Sequence, residues 1–392
     1  MLKDDAQRGT KMKHNRCIFH IPNHLDEKGS SGSQVRPRKM LKAFQNIGYE
    51  VDVVMGYGAE RKKQIEAIKN NIVNGVCYDF LYSESSTMPT QLTEKDHIPR
   101  YPFLDFNFFK FCHKNGIPIG LFYRDIYWRF PIYKEGTPLL QYLVAETAYR
   151  FDLREYAKFL DIFYVPNKKI SRYVRNKRLD AIMDELPPGS VFDSDFIAYK
   201  RSYYEKRLKN YNNKISLFYV GGVGNQYIFD SLLEGAYDIE NLYITICCRE
   251  KEWVENEPKL KKYLTDRIRV VHRTGTELEE YYREADIALA FFLPDIYREM
   301  AVPIKLFEYM GHGIPVLASN DTAVGSFVSE NNIGWSIDYN ANTVHNLLQE
   351  LIENYQEVVD KHNNCLAILN NNTWEGRAYK VSTQLSSCKA SN

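Results

Sequence analysis

The stretch Pro303-Ile-Lys-Leu-Phe-Glu-Tyr-Met-Gly-His-Gly-Ile-Pro-Val-Leu-Ala-Ser319 decides how this chain is read. Its first half has the spacing of a short amphipathic helix, Gly311-His-Gly313 marks a turn, and Pro315–Ser319 is an apolar run of strand length. Lys305 and Glu308 stand three residues apart, so on a helix they share one face and reach the same ligand. A cation suits a phosphate, and a carboxylate suits a pair of hydroxyls. The competing reading is an exposed helical ion pair with no ligand at all.

Outward from this stretch, apolar runs alternate with helix-period segments, which predicts a parallel α/β architecture. In the second half the predicted strands are Ile215–Gly221, Leu242–Cys248, Arg267–Val271, Ile287–Phe292 and Pro315–Ser319, with Gly334–Ile337 as a short addition. In the first half they are Cys17–Ile21, Glu50–Met55, Tyr78–Ser83, Ile117–Tyr123 and Asp161–Val165, with helices over Gln34–Ile47, Asn107–Asn115 and Leu139–Leu160. Leu186-Pro-Pro-Gly189 and the basic, Asn-rich run to Lys214 predict a junction. The expected division is residues 1–190, a linker at 191–213, a second domain over 214–372, and a C-terminal helix and tail over 373–392. Two such halves would enclose a ligand cleft.

A length of 392 residues suits two domains, and 44% apolar with 26% charged residues lets each build a core. The net charge of +1 conceals an asymmetry: residues 1–200 carry 31 Lys and Arg against 24 Asp and Glu. A basic first half suits an anionic partner such as a phospholipid surface, or is ordinary surface scatter. The 29 Tyr and 21 Phe suit carbohydrate faces or simple amphipathic packing. Seven scattered Cys, without a Cys-x-x-Cys pair, point to a reducing compartment and away from zinc. Residues 1–16 lack the apolar core of a signal peptide, and no apolar run approaches the roughly 20 residues that span a bilayer. The expected location is the cytoplasm, with peripheral contact to an anionic inner membrane face through the N-terminal domain.

Further candidate residues cluster after predicted strand ends. Strand Ile215–Val220 runs into Gly221-Gly-Val-Gly-Asn225, a loop that lets phosphate approach the backbone, or a plain tight turn. Arg249 follows the next strand and can pair with a diphosphate, frame a base, or form a surface bridge with Glu252. In the first half, Gly29-Ser-Ser-Gly-Ser33 precedes the first helix, with Arg36, Arg38 and Lys39 just beyond. Arg124 and Asp125 follow the strand ending at Tyr123, as a pair that either serves chemistry or holds the strand end together.

The pattern Pro-x-Lys-x-x-Glu-x-Met-x-x-Gly-x-Pro-Val, with the glycine loop and the acidic helix and strand over Thr276–Phe292, closely resembles the signature of retaining GT-B glycosyltransferases. That group includes bacterial capsule, lipopolysaccharide and exopolysaccharide enzymes. The resemblance implies two Rossmann-like domains facing a central cleft, with the C-terminal helix crossing back to the N-terminal domain. It assigns the donor diphosphate to Lys305 and the ribose hydroxyls to Glu308, with Gly221, Gly222 and Arg249 also at the donor. It places Ser31, Gly32 and Ser33 on the acceptor side, with Arg124, Asp125 and Glu299 near the reacting carbon. Two positions depart from it. Met300 stands where many members carry a first glutamate, leaving Glu299 one residue off, and Arg124 replaces a His.

The implied activity is transfer of a sugar from a nucleotide-sugar, UDP before GDP, to a glycan or lipid-linked acceptor. Retention is expected through a front-face route, in which the leaving phosphate takes the proton and positioning carries the rate. No metal, cofactor or nucleic acid is expected. Two rivals stand beside this reading. One is a catalytically silent partner subunit of the same fold; the other is a nucleotide-sugar epimerase or hydrolase, for which His20 and His24 are the residues to check.

Overall fold

The computed structural model describes residues 15–26, 29, 31–124, 126–224 and 229–390. Among the described residues, twelve strands form two six-stranded sheets. The first holds β1 (Arg16–His20), β2 (Glu50–Val54), β3 (Phe80–Glu84), β4 (Ile119–Phe122), β5 (Ile162–Val165) and β6 (Met183–Glu185), in the order β2-β1-β3-β4-β5-β6. The second holds β7 (Ile215–Val220), β8 (Leu242–Cys247), β9 (Ile268–Val271), β10 (Ile287–Ala290), β11 (Val316–Ser319) and β12 (Gly334–Ile337), in the order β9-β8-β7-β10-β11-β12. The registers β1–β2, β1–β3 and β3–β4 are parallel, as are those linking β9 to β12 through the second sheet.

Parallel pairing follows from the sequence. Runs such as Ile287-Ala-Leu-Ala290 are apolar at every position and are buried on both faces, as a sheet covered by helices on each side demands. Alternate residues of β7 then serve opposite layers. Ile215, Leu217 and Tyr219 pack with Leu232, Leu233 and Leu348, while Phe218 and Val220 pack with Leu306, Phe307 and Met310.

The chain divides into two compact units: residues 1–122, 143–163 and 378–392 form one, and 123–142 with 164–377 form the other. The last helix, Trp374–Ala390, therefore begins in the second unit and ends in the first, where Lys389 Nζ donates to the Tyr78 carbonyl at 2.7 Å. Eleven strands fall within a few residues of their predicted bounds. β6 is new, because Met183-Asp-Glu185 has no apolar run to announce it. The basic stretch read as linker contains a helix, Ser194–Lys209, begun by the Asp193 side chain accepting from the backbone N–H groups of Asp195 and Phe196. Among the described residues, no helix is long and apolar enough to cross a membrane.

Candidate nucleotide site of the second unit

In the second sheet, the chain leaves β7 toward β8 on one side and returns through β10 on the other. This order reversal opens a crevice at the carboxyl ends of β7 and β10, the usual ligand position in an open α/β sheet. Gly221, Gly222, Val223 and Gly224 come directly after β7. A Cβ at Gly221 would lie 2.3 Å from the Tyr219 hydroxyl, which itself donates to the Gly222 carbonyl at 2.7 Å. Gly224 has φ +143°, a conformation that side chains resist. The loop is anchored to helix Glu250–Leu260: Val223 N donates to Glu252 Oε2 at 3.2 Å, and Asn256 Nδ2 to the Val223 carbonyl at 3.4 Å.

The stretch Pro303–Ser319 forms helix Ile304–Gly311, the turn, and β11. Leu306, Phe307, Tyr309 and Met310 are buried, which leaves Lys305 and Glu308 on the half-exposed side. Tyr309 fixes the helix against the end of β7, accepting from Val220 N at 3.1 Å. The two glycines of the turn have different causes. Gly313 has φ +66°, whereas a Cβ at Gly311 would meet the Ser190 Cβ at 2.8 Å. His362 Nδ1 donates to the Gly313 carbonyl at 2.6 Å, and burial lowers this imidazole to about 4, so it stays neutral at pH 7.

Lys305 Nζ and Glu308 Oε2 are 2.8 Å apart, so the two proposed ligand groups bind each other here. Burial pushes the nearby Cys247 thiol upward, against its hydrogen bond to the Arg273 carbonyl and the Lys305 cation. Arg249 is exposed and pairs with Glu252, the residue that also holds Val223. Of the alternatives open for Arg249, the surface bridge is the one formed. Gly221, Gly222, Arg249, Lys305 and Glu308 thus all belong to the second unit, joined through Glu252, Tyr309 and the end of β7.

The other expected residues lie elsewhere. Glu299 approaches Arg172 at 3.8 Å, with both side chains exposed, while Met300 is buried. Arg298 donates to the Leu293 carbonyl at 3.1 Å and pairs with Asp295, bracing the loop after β10. Arg124 follows β4, and Asp125 lies outside the described residues. Ser31, Gly32 and Ser33 begin helix Gly32–Asn46 of the first unit, with the Ser31 and Ser33 hydroxyls 2.9 Å apart. Arg36, expected to meet an anion or to be solvated, is instead buried 3.3 Å from Glu84, its guanidinium 3.4 Å above the Phe122 ring. Arg38 braces the preceding loop by donating to the Gln34 and Asp26 carbonyls at 3.0 Å each.

Three residues escaped the reading of the sequence: Tyr282, Tyr309 and His312. Tyr309 and His312 sit inside the signature, one and four places after Glu308, and helical spacing alone could have put His312 on the Glu308 face. His312 Nδ1 donates to the Glu308 carbonyl at 2.7 Å, and its ring stacks on Tyr282 at 4.1 Å. Nothing local marks Tyr282, because its stacking partner His312 belongs to a distant segment.

Comparison with known proteins places this geometry. Residues 214–354 match the family model described as glycosyl transferases group 1. No curated protein sequence matches the chain. Among solved structures, the chain resembles Anabaena HepE in complex with UDP-glucose, with 11% identity over 95% of this chain and 100% of the other, at a TM-score of 0.59. Sucrose-phosphate synthase from Thermosynechococcus elongatus gives 14% identity over 96% and 100%, with a TM-score of 0.59. A glycosyltransferase from Rickettsia africae gives 10% identity over 95% and 98%, with a TM-score of 0.62. The chain has the GT-B fold, and the part of its second unit over residues 214–354 is similar to group 1 glycosyl transferases.

Proposed function

From the similarity of residues 214–354 to group 1 glycosyl transferases, we propose that the protein transfers a sugar from a UDP-sugar to a glycan or lipid-linked acceptor, with retention of configuration. The observation that carries this is the placement of Lys305 and Glu308. They stand three residues apart on the half-exposed side of a helix tied by Tyr309 to the end of β7, next to a glycine loop. Lys305 meets the diphosphate, Glu308 accepts from the ribose hydroxyls, and the bare backbone of Gly221 and Gly222 admits the phosphates. Support for uridine comes from HepE, which was solved with UDP-glucose.

Catalysis on this reading is positioning and charge stabilisation: Lys305 neutralises the departing diphosphate, which takes the acceptor proton. Surface polysaccharide or glycoconjugate assembly is the proposed setting, with Arg124 proposed to stabilise the leaving phosphate, Asp125 to orient the acceptor hydroxyl or act as base, and Glu299 to contact the sugar. Ser31, Gly32 and Ser33 are proposed for the acceptor side.

The test is a thermal-shift panel of UDP, GDP, ADP, CMP and dTDP on the wild type and on Glu308→Ala. A ligand at about a hundred times its dissociation constant adds about 2.7 kcal/mol to folding stability. UDP should stabilise the wild type and not the variant. Stabilisation by no nucleotide would reject the donor site and favour a silent GT-B partner. The anomeric configuration of product formed from a UDP-sugar, read by NMR, then decides retention.

A further inference from the structure

We propose that helix Leu139–Phe159 docks the protein on an anionic phospholipid surface, its first two turns entering the membrane interface and its later turns meeting lipid phosphates. The inference adds a partner to the transfer reading above and stands on observations which that reading does not use. A helix of a globular protein ordinarily buries one apolar stripe along its length. This helix does so only from Ala145 onward, through Ala148, Tyr149, Asp152, Leu153 and Tyr156. The turns before Ala145 carry Leu139, Leu140, Leu143 and Val144, each between 49% and 76% exposed. Among the described residues, no other helix exposes four large apolar side chains. Single apolar residues on a surface are ordinary, but four on adjacent turns form a patch that marks an interaction face. Phe103, also exposed, extends the apolar surface by packing edge-on against Phe151 of the same helix at 6.1 Å.

The charges that follow decide what covers the patch. Residues three and four apart share a helix face, and Leu143, Thr147, Arg150, Arg154 and Lys158 form one exposed stripe. Arg150 pairs with Glu146 at 2.8 Å and Lys158 pairs with Glu155, yet the cation is the outward member of each pair. The Arg150 and Lys158 side chains are 51% and 56% exposed, against 23% and 15% for their carboxylates. The third acid of the helix, Asp152, is buried. The face therefore presents apolar groups first and positive charge next. A second copy packed antiparallel on this helix would set those cations against leucines, and one packed parallel would set cations against cations. A bilayer takes both halves: its acyl boundary receives the leucines, and anionic headgroups receive the arginines and the lysine.

The test is flotation of the full chain, without nucleotide, on vesicles of phosphatidylcholine alone and of phosphatidylcholine with phosphatidylglycerol. The wild type should float with the anionic vesicles in preference to the neutral ones, and added salt should weaken the binding. Leu140→Gln with Leu143→Gln should lower affinity for the anionic vesicles by about tenfold or more. Arg150→Gln with Arg154→Gln should lower it by about fivefold for each charge removed. These side chains are exposed, so both variants should keep the wild-type unfolding midpoint. A wild type that ignores both vesicles, or a leucine variant that floats as well as the wild type, overturns the proposal. Equal binding to neutral and anionic vesicles overturns the anionic partner. A dimer in sedimentation that the leucine variant dissolves gives the patch to a second copy and overturns the proposal as well. Failure of UDP to stabilise the same protein rejects the nucleotide reading and leaves the vesicle result standing.

Discussion

The two sheets offer the same kind of place and fill it in opposite ways. In the first sheet the order reverses between β1 and β3, and the residues at that point, His20 and Ser83, are directly paired in register. His20 Nδ1 lies 2.8 Å from Ser83 Oγ, and Nε2 lies 2.9 Å from Asp105, which also accepts from Arg61 Nε at 2.9 Å. All four side chains are at most 2% exposed. In the second sheet the reversal falls between β7 and β10, and the chain continues from β7 as glycine and main chain. A crevice plugged by its own polar side chains supports the fold, whereas bare backbone is the kind of edge a phosphate can approach. This difference, more than any motif in the first half, supports the proposal that nucleotide binds in the second unit.

The largest test is to empty the plug. Asp105→Ala leaves the Arg61 guanidinium buried without its carboxylate, an expected loss of about 3–5 kcal/mol in urea unfolding. UDP affinity in the protein that remains folded should be unchanged; a matching loss of affinity would break the division of labour.

Next come two buried ionisable groups with opposite pH slopes. Burial raises Asp152 of the first unit to about 7, although it accepts from Thr90 N at 2.7 Å. Its folded value lies above its unfolded one, so its contribution to stability is complete below about pH 4 and is lost as pH rises through 7. Burial lowers Lys200 of the second unit to about 7, so there the unfolded chain holds the extra proton and stability climbs from about pH 7 to 10. Each limb has a limiting slope of about 1.4 kcal/mol per pH unit. Asp152→Asn should flatten the acid limb alone and Lys200→Met the alkaline limb alone, as followed by unfolding free energy against pH.

Smaller effects sharpen the description of the open crevice. Gly221→Ala pushes a methyl into the Tyr219 hydroxyl, an expected cost of about 1–3 kcal/mol. UDP binding should fall as well, since the phosphate approach is narrowed; retained affinity would remove Gly221 from the site. Arg249→Ala deletes an exposed ion pair and should change stability by about 0–1 kcal/mol. Any drop in UDP affinity beyond that scale would mean that Arg249 leaves Glu252 for the diphosphate when ligand arrives.

Much of this was legible in the residues alone. Continuous apolar runs marked the strands, and the Lys305–Glu308 spacing marked the shared face, because both depend on local periodicity. Lys200 was not legible. A lysine in a basic, Asn-rich run reads as solvated, yet it is buried where two backbone carbonyls and the Tyr203 and Tyr204 rings receive it. Arg36 misled in the same way, because its Phe122 and Glu84 partners are far away in sequence. Tyr282 belongs with them, since its stacking partner is 30 residues distant. What sequence conceals here is tertiary pairing of polar and aromatic groups.

The Lys305–Glu308 contact makes the protein its own first ligand. On the proposed reading, an arriving diphosphate competes with a tethered carboxylate, so its affinity is the difference between two attractions for one ammonium group. Screening by salt weakens both, and the dependence of UDP binding on ionic strength should be shallower than a free lysine would give. Inorganic pyrophosphate, which has no ribose to offer Glu308, separates the two sides of the exchange. Glu308→Gln should bind pyrophosphate more tightly than the wild type while binding UDP more weakly.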